Sequence, residues 1–85
     1  MATWRKLIEL RLKENGESFN DIIKITLTEE QLDKRFDDDF GYQEGEPFTA
    51  WTKEYVYFPV VYDGSEWVSS VPRNPCDTVT EYIEE

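Results

Sequence analysis

The chain has 85 residues, with 19 acids, nine Lys and Arg, no histidine and a formal net charge of -10. A small domain usually carries a net charge of about 2–8 in magnitude, so this charge is unusually high and argues against direct binding of DNA, RNA or an anionic membrane. The lack of histidine removes the usual general base and the Ser–His and Cys–His nucleophile pairs, so we do not expect an enzyme.

The length predicts one α+β domain over residues 1–85, and the 15% aromatic content supports a packed core. A single cysteine, Cys76, excludes an internal disulfide and a CxxC metal site. Asp77 beside it favours a raised thiol pKa and no redox role. No apolar run approaches the roughly 20 residues of a membrane span. We therefore expect a cytoplasmic protein with no cofactor.

Two or three short helices are predicted over about residues 3–38. Thr3 caps a first helix from about Trp4 to Glu14, which ends before Asn15-Gly16. A second helical segment begins at Ser18. Its apolar residues, like those of the first, recur at helical spacing; the two sets are Trp4, Leu7, Ile8 and Leu12, and Phe19, Ile22, Ile23 and Leu27.

A capping box predicts the start of a third helix. Thr28 and Gln31 are spaced so that each side chain bonds the backbone amide of the other. This helix carries Leu32 and Phe36 on one side, and we expect it to stop around residues 37–39, where three aspartates oppose the helix dipole.

The second half predicts a three-stranded antiparallel meander over about residues 48–72, followed by a weak tail at 74–85. Its strands are Phe48–Thr52, Tyr55–Tyr62 and Glu66–Val71, which are rich in β-branched and aromatic residues. Asp63-Gly64 is a favoured type I′ turn between the last two strands. Pro59 predicts a bulge, or an amide position that faces an open edge.

The turn sets the predicted register and the two faces of this meander. Val60 then faces Trp67, Phe58 faces Ser69, and Val56 faces Val71. We predict that the helices cover the face of Val56, Phe58, Val60, Trp67 and Val71. The face of Tyr55, Tyr57, Val61 and Val68 then stays open.

The acids between positions 29 and 46 are the candidate partner-binding site. Eight acids fall there against Lys34 and Arg35, and Tyr42 offers an aromatic anchor. An EF-hand begun at Asp37 fails at its glycine and glutamate positions, so we expect no metal. The predicted contact residues are Glu29, Glu30, Asp33, Asp37, Asp38, Asp39, Tyr42, Glu44 and Glu46.

Five segments between residues 3 and 76 form a distinctive set: Gly16-Glu17-Ser18, Phe36-Asp37-Asp38, the run from Pro47 to Thr52, the string FPVVYDGSEW from Phe58 to Trp67, and the run from Ser70 to Pro75. With these segments, most of residues 3–76 resembles a family of small acidic proteins encoded by phages and prophages. The resemblance implies an inhibitor of host defence, such as an anti-CRISPR protein or another DNA mimic. It assigns no role to any single residue.

Two functions follow as expectations. In the first, an acidic inhibitor occupies the basic nucleic-acid-binding surface of a host defence or DNA-processing complex, because rows of carboxylates imitate phosphates. In the second, a non-enzymatic interaction or phage-assembly module binds a partner, or a second copy, through an exposed aromatic sheet face. A third interpretation of the acids is that they only keep an aromatic-rich protein soluble.

Overall fold

The computed structural model describes residues 2–36, 45–62, 65–80 and 82. Within them the fold is α+β, with two α-helices, one 3-10 turn and a four-stranded antiparallel sheet in the order β1-β2-β3-β4. The elements are α1 (Trp4–Glu14), the 3-10 turn (Phe19–Asp21), β1 (Lys24–Ile25), α2 (Glu29–Asp33), β2 (Ala50–Trp51), β3 (Tyr55–Tyr62) and β4 (Ser65–Pro72).

The prediction for α1 is confirmed at both ends. The Thr3 hydroxyl accepts the Lys6 amide at 3.2 Å, and the helix stops before Asn15 and Gly16, whose φ of 73° suits a glycine. Its apolar stripe buries Trp4, Ile8 and Leu12. The local sequence signals alone were sufficient here.

The second predicted helix is wrong. Only one 3-10 turn forms after Ser18, and the chain then extends into β1, which adds a fourth strand to the predicted three. The Ile23 amide donates to the Trp51 carbonyl at 2.7 Å, and the Thr26 amide donates to the Thr49 carbonyl at 3.0 Å. Pairing with β2 therefore satisfies backbone amides of this segment. Its β-branched residues would lose side-chain freedom in a helix, so they favour the extended conformation.

Helix α2 begins as predicted but is shorter. The Gln31 amide donates to the Thr28 hydroxyl at 3.1 Å, and the Thr28 amide donates to the Gln31 side chain at 2.9 Å. The helix ends at Asp33 and not at residues 37–39. Phe36 instead forms a two-hydrogen-bond bridge with Ala2, and this extended pairing ends the helix early.

The register of the β3–β4 hairpin is confirmed. Val60 pairs with Trp67, Phe58 with Ser69, and Val56 with Val71; the predicted turn residues Asp63 and Gly64 lie outside the described part of the chain. The register runs through Pro59 without a bulge. Strand β2 pairs only with Val56 and Tyr57, so in the described chain β3 has no partner strand on that side at Pro59.

The predicted assignment of the two sheet faces is wrong. Tyr57 (0% exposed) and Val68 (3%) lie in the core with the helices, and Tyr55 packs against them. We call this side the inner face. The inner face also buries Ser70, which accepts hydrogen bonds from Arg11 and Asn15 at 3.0 Å each. Both faces are apolar by sequence, so alternation could not decide which one the helices cover.

Trp4 is at the centre of the core. It is 1% exposed, and its ring lies 5.0 Å from Phe36 and 4.9 Å from Phe48, measured between ring centroids. The core therefore joins α1 to Phe36, which follows α2, and to Phe48, which precedes β2. Ala50, Tyr57 and Val68 extend it across the inner face.

Candidate interaction surfaces

Four of the predicted contact residues lie together on or beside α2. Glu29, Glu30 and Asp33 are exposed residues of the helix, and Glu46 accepts a hydrogen bond from Gln31 at 2.6 Å. We call these four the α2 acidic surface. The other five predicted residues lie outside the described part of the chain: Asp37, Asp38, Asp39, Tyr42 and Glu44.

Arg5 fixes two carboxylates of the α2 acidic surface. Its guanidinium donates to Asp33 at 2.7 Å and 3.2 Å and also to Glu29, and it lies 5.5 Å from the centroid of the Phe19 ring. These bonds hold the pKa of Asp33 below its ordinary value and raise that of Arg5. The Arg5 side chain thus positions the carboxylates but cancels part of their charge.

The Arg5–Asp33 pair predicts an acid-dependent loss of stability. Because the folded-state pKa of Asp33 is lowered, its contribution is present above the unfolded value of about 3.9 and is lost as pH falls through the folded value. Asp33→Asn should therefore flatten the fall of melting temperature below about pH 4. Glu9→Gln is the control, since Glu9 has only a 3.9 Å ion pair with Lys6. If the melting temperature falls with decreasing pH in the same way for Asp33→Asn and wild type, this account is contradicted.

Glu46 and Glu30 border a groove of about 620 Å³ beside α2. Lys34 lies 3.9 Å from one Glu46 oxygen, so the four acids are accompanied by two cations. Glu30 has no ion pair within the described chain. The α2 acidic surface keeps a net negative charge of two when Arg5 and Lys34 are counted, that is four acids minus two bases.

A second groove, of about 610 Å³, has a more uniformly negative lining. Glu17, Asp21 and Glu54 border it, and no Lys or Arg from the described residues does. None of these three acids makes an ion pair within that part of the chain, although Glu17 accepts the Tyr57 hydroxyl at 2.5 Å. Sequence reasoning missed this groove because its residues come from four distant segments.

Cys76 also borders this second groove and is exposed. Hydrogen bonds from Thr78 lower the pKa of its thiol, while Glu54 raises it to a lesser extent. The predicted direction of the thiol pKa shift was therefore wrong, because the Thr78 hydrogen bonds outweigh the effect of the Glu54 carboxylate.

Burial and the hydrogen bond to Glu17 raise the pKa of the Tyr57 hydroxyl.

The opposite side of the sheet is apolar and carries no acid at the strand positions. Cross-strand partners share a face and alternate residues change face. The apolar residues of this outer face are therefore Trp51, Val56, Phe58, Val60, Trp67 and Val71, and Lys24, Ser65 and Ser69 lie on the same face. Val60 is buried and the other five are half-buried. None of the six belongs to the core cluster that the helices form. This is the reverse of the predicted assignment, in which these residues were to be covered.

No known protein family, curated protein or solved structure matches the chain. Among the described residues no helix is long and apolar enough to cross a membrane. In that same part of the chain no three Cys, Asp or Glu side chains come together as a metal site would require.

Proposed function

We propose that this protein is a non-enzymatic acidic binding protein, of the phage-encoded inhibitor type, that occupies the basic nucleic-acid-binding surface of a host defence or DNA-processing complex. The observation that carries the proposal is the concentration of acids on and after α2. Glu29 and Asp33 are held in place by Arg5 while their side chains stay 84% and 59% exposed. Fixed, exposed carboxylates suit imitation of a phosphate row because little side-chain freedom is lost on binding.

The whole-molecule charge supports the same function. A formal charge of -10 attracts a cationic surface over long range and speeds encounter with it. The second groove adds three acids with no ion pair in the described chain, so negative charge extends beyond α2. Asp37, Asp38 and Asp39 follow the end of α2 after three intervening residues and enlarge the same acidic stretch of the sequence.

The function is tested by capture and competition. Tagged protein should retain a basic nucleic-acid-binding protein from host lysate, and the partner's own DNA or RNA should displace it. Replacing Asp37, Asp38 and Asp39 together with Asn should weaken the purified complex by about tenfold or more, since several charge contacts are lost. Retained affinity, or no competition by nucleic acid, would contradict the proposal.

A matched control separates a local effect from a change of net charge. The triple variant Glu9→Gln, Asp77→Asn, Glu84→Gln also removes three negative charges, at sequence positions outside the stretch from 29 to 46. It should reduce the rate of association modestly and leave the dissociation rate near wild type. Equal losses for the two triple variants would reduce the proposal to non-specific attraction.

The second candidate function is a protein-interaction or phage-assembly module, with a homodimer as one form. The specific observation in its favour is the outer face, whose apolar residues are separate from the core cluster. Sedimentation of wild type at increasing concentration tests the homodimer. A dimer that Phe58→Asp abolishes would favour this function over the first.

A further inference from the structure

The second groove has a wall that hydrogen bonds hold in place. The Arg73 amide donates to the Glu54 carbonyl at 2.8 Å, and the Arg73 guanidinium donates to the Thr52 carbonyl at 3.0 Å. The Asn74 side chain donates to the Lys53 carbonyl at 3.4 Å. These bonds tie the segment after β4 to the loop between β2 and β3, and both segments line the groove.

The acids that come from the first part of the chain are also held in place. The Glu17 amide donates to the Leu12 carbonyl at 2.8 Å, and the Glu17 carboxylate accepts the Tyr57 hydroxyl. The Asp21 carboxylate accepts the Ser18 amide at 2.9 Å. The groove is therefore formed before any partner arrives, and little conformational freedom is lost when it is filled.

The groove is open and its charge is not neutralised. None of its lining residues is buried, and Asp21 and Glu54 are exposed. Glu17, Asp21 and Glu54 take part in none of the ion pairs between described residues, and no Lys or Arg among those residues lines the groove. The α2 acidic surface differs in this respect, because Arg5 and Lys34 cancel part of its charge.

The spacing of the acids and the ring of Tyr55 indicate the shape of the cation. Within the described chain no three acidic or thiol side chains come together as a metal ion would require, so the groove suits an extended cation. Tyr55 is half-buried and lines the same groove. A guanidinium is planar, so it stacks on an aromatic ring while its N–H groups donate to carboxylates, which a lysine ammonium does less well.

We infer that the second groove receives an arginine side chain of a partner protein. The guanidinium would lie against Tyr55 and donate to the carboxylates of Asp21 and Glu54. The groove volume of about 610 Å³ accommodates such a side chain. Recognition of a guanidinium is a property of the groove, whereas the origin of the arginine in a basic partner rests on the proposed function.

The probe is N-acetyl-arginine amide, with N-acetyl-citrulline amide as its uncharged counterpart of nearly the same shape. Each is titrated into ¹⁵N-labelled protein, and the backbone amide shifts are followed by NMR. The arginine compound should shift the amides of Gly16, Glu17, Tyr55 and Cys76, which line the groove. The citrulline compound should leave them unchanged, and N-acetyl-lysine amide should bind more weakly than the arginine compound.

Two charge reversals locate the contact. Glu54→Lys should weaken binding of the arginine compound by about tenfold, because an attractive charge at the groove becomes a repulsive one. Glu30→Lys is the matched control, since Glu30 is also exposed, has no ion pair within the described chain and lies on α2; it should leave the affinity within about twofold. Should Glu54→Lys fail to fold, the comparison of arginine with citrulline on wild type decides the question.

Three results would overturn the inference: equal binding of the citrulline compound, shifts spread equally over α2 and the groove, or equal losses for Glu54→Lys and Glu30→Lys. If these occur while a basic partner is still captured and displaced by nucleic acid, the proposed function stands without the groove. If the arginine compound binds as expected but no such partner is captured, the proposed function fails and the recognition of a guanidinium stands.

Discussion

Gly45→Ala is expected to lower the free energy of unfolding by about 2–3 kcal/mol, as overpacking of a filled core does. A methyl group at this position would lie 2.6 Å from Cζ2 and 2.7 Å from Cε2 of Trp4. Trp4 cannot move aside, because Phe36 and Phe48 hold its ring. The Gly45 amide also donates to the buried Glu66 carboxylate at 3.1 Å, so any shift of the backbone would weaken that bond.

Gly16→Ala is the control for Gly45→Ala, and urea denaturation measures both. Gly16 has a φ of 73° and no heavy atom within 4 Å of an added methyl group. Gly16→Ala should lower the free energy of unfolding only by the strain of a left-handed backbone, about 1 kcal/mol. A smaller loss for Gly45→Ala than for Gly16→Ala would mean that Gly45 does not lie against Trp4.

Tyr57→Ala is expected to destabilise the protein by about 3–5 kcal/mol, the range for removing a buried aromatic ring. The Tyr57 side chain is 0% exposed, and its hydroxyl donates to Glu17 at 2.5 Å and accepts from Asn15 at 3.0 Å. A stable small domain has only about 5–15 kcal/mol in all, so this variant should be close to unfolded at room temperature.

Phe58→Ala provides the matched comparison, because Phe58 is the next residue of β3 and lies on the outer face. Its loss should be about 1 kcal/mol, since a half-buried ring has little surrounding core to leave empty. Thermal or urea denaturation of the pair decides which face the helices cover. A larger loss for Phe58→Ala than for Tyr57→Ala would reverse the assignment of the inner and outer faces.

Local signals in the sequence were sufficient for the elements that depend on short-range contacts. The Thr3 cap, the Thr28–Gln31 capping box and the β3–β4 register were all predicted correctly. Each depends on residues that are close in the chain, and a hairpin register follows from the length of its loop.

Elements that depend on distant contacts were predicted poorly. Strand β1 forms because the Ile23 and Thr26 amides bond the carbonyls of Trp51 and Thr49, more than 20 positions away. The β-branched residues of the segment favour a strand, but nothing in the local sequence identifies its partner. The inner face includes Ser70, a polar residue that is buried and accepts hydrogen bonds from Arg11 and Asn15. Because serine is mostly found at protein surfaces, the burial of Ser70 could not be predicted from its residue type.

The candidate site was predictable in part for the same reason. The four acids of the α2 acidic surface fall between positions 29 and 46, so the acidic composition of that stretch was enough to identify them. Arg5 pairs with Asp33 across 28 positions, and this partial neutralisation was not visible in the sequence. The second groove is a product of the fold. The residues of the outer face were grouped correctly from the sequence, but the choice of the face that the helices cover was wrong.

The salt dependence of partner binding tests the central claim most directly. Affinity for the captured basic partner would be measured from 0.1 M to 1 M salt, over which the screening length falls from about 10 Å to about 3 Å. Wild type should weaken steeply, and the variant with Asn at Asp37, Asp38 and Asp39 should bind more weakly at low salt with a shallower slope. A triple variant that binds as tightly as wild type at both low and high salt would contradict the account.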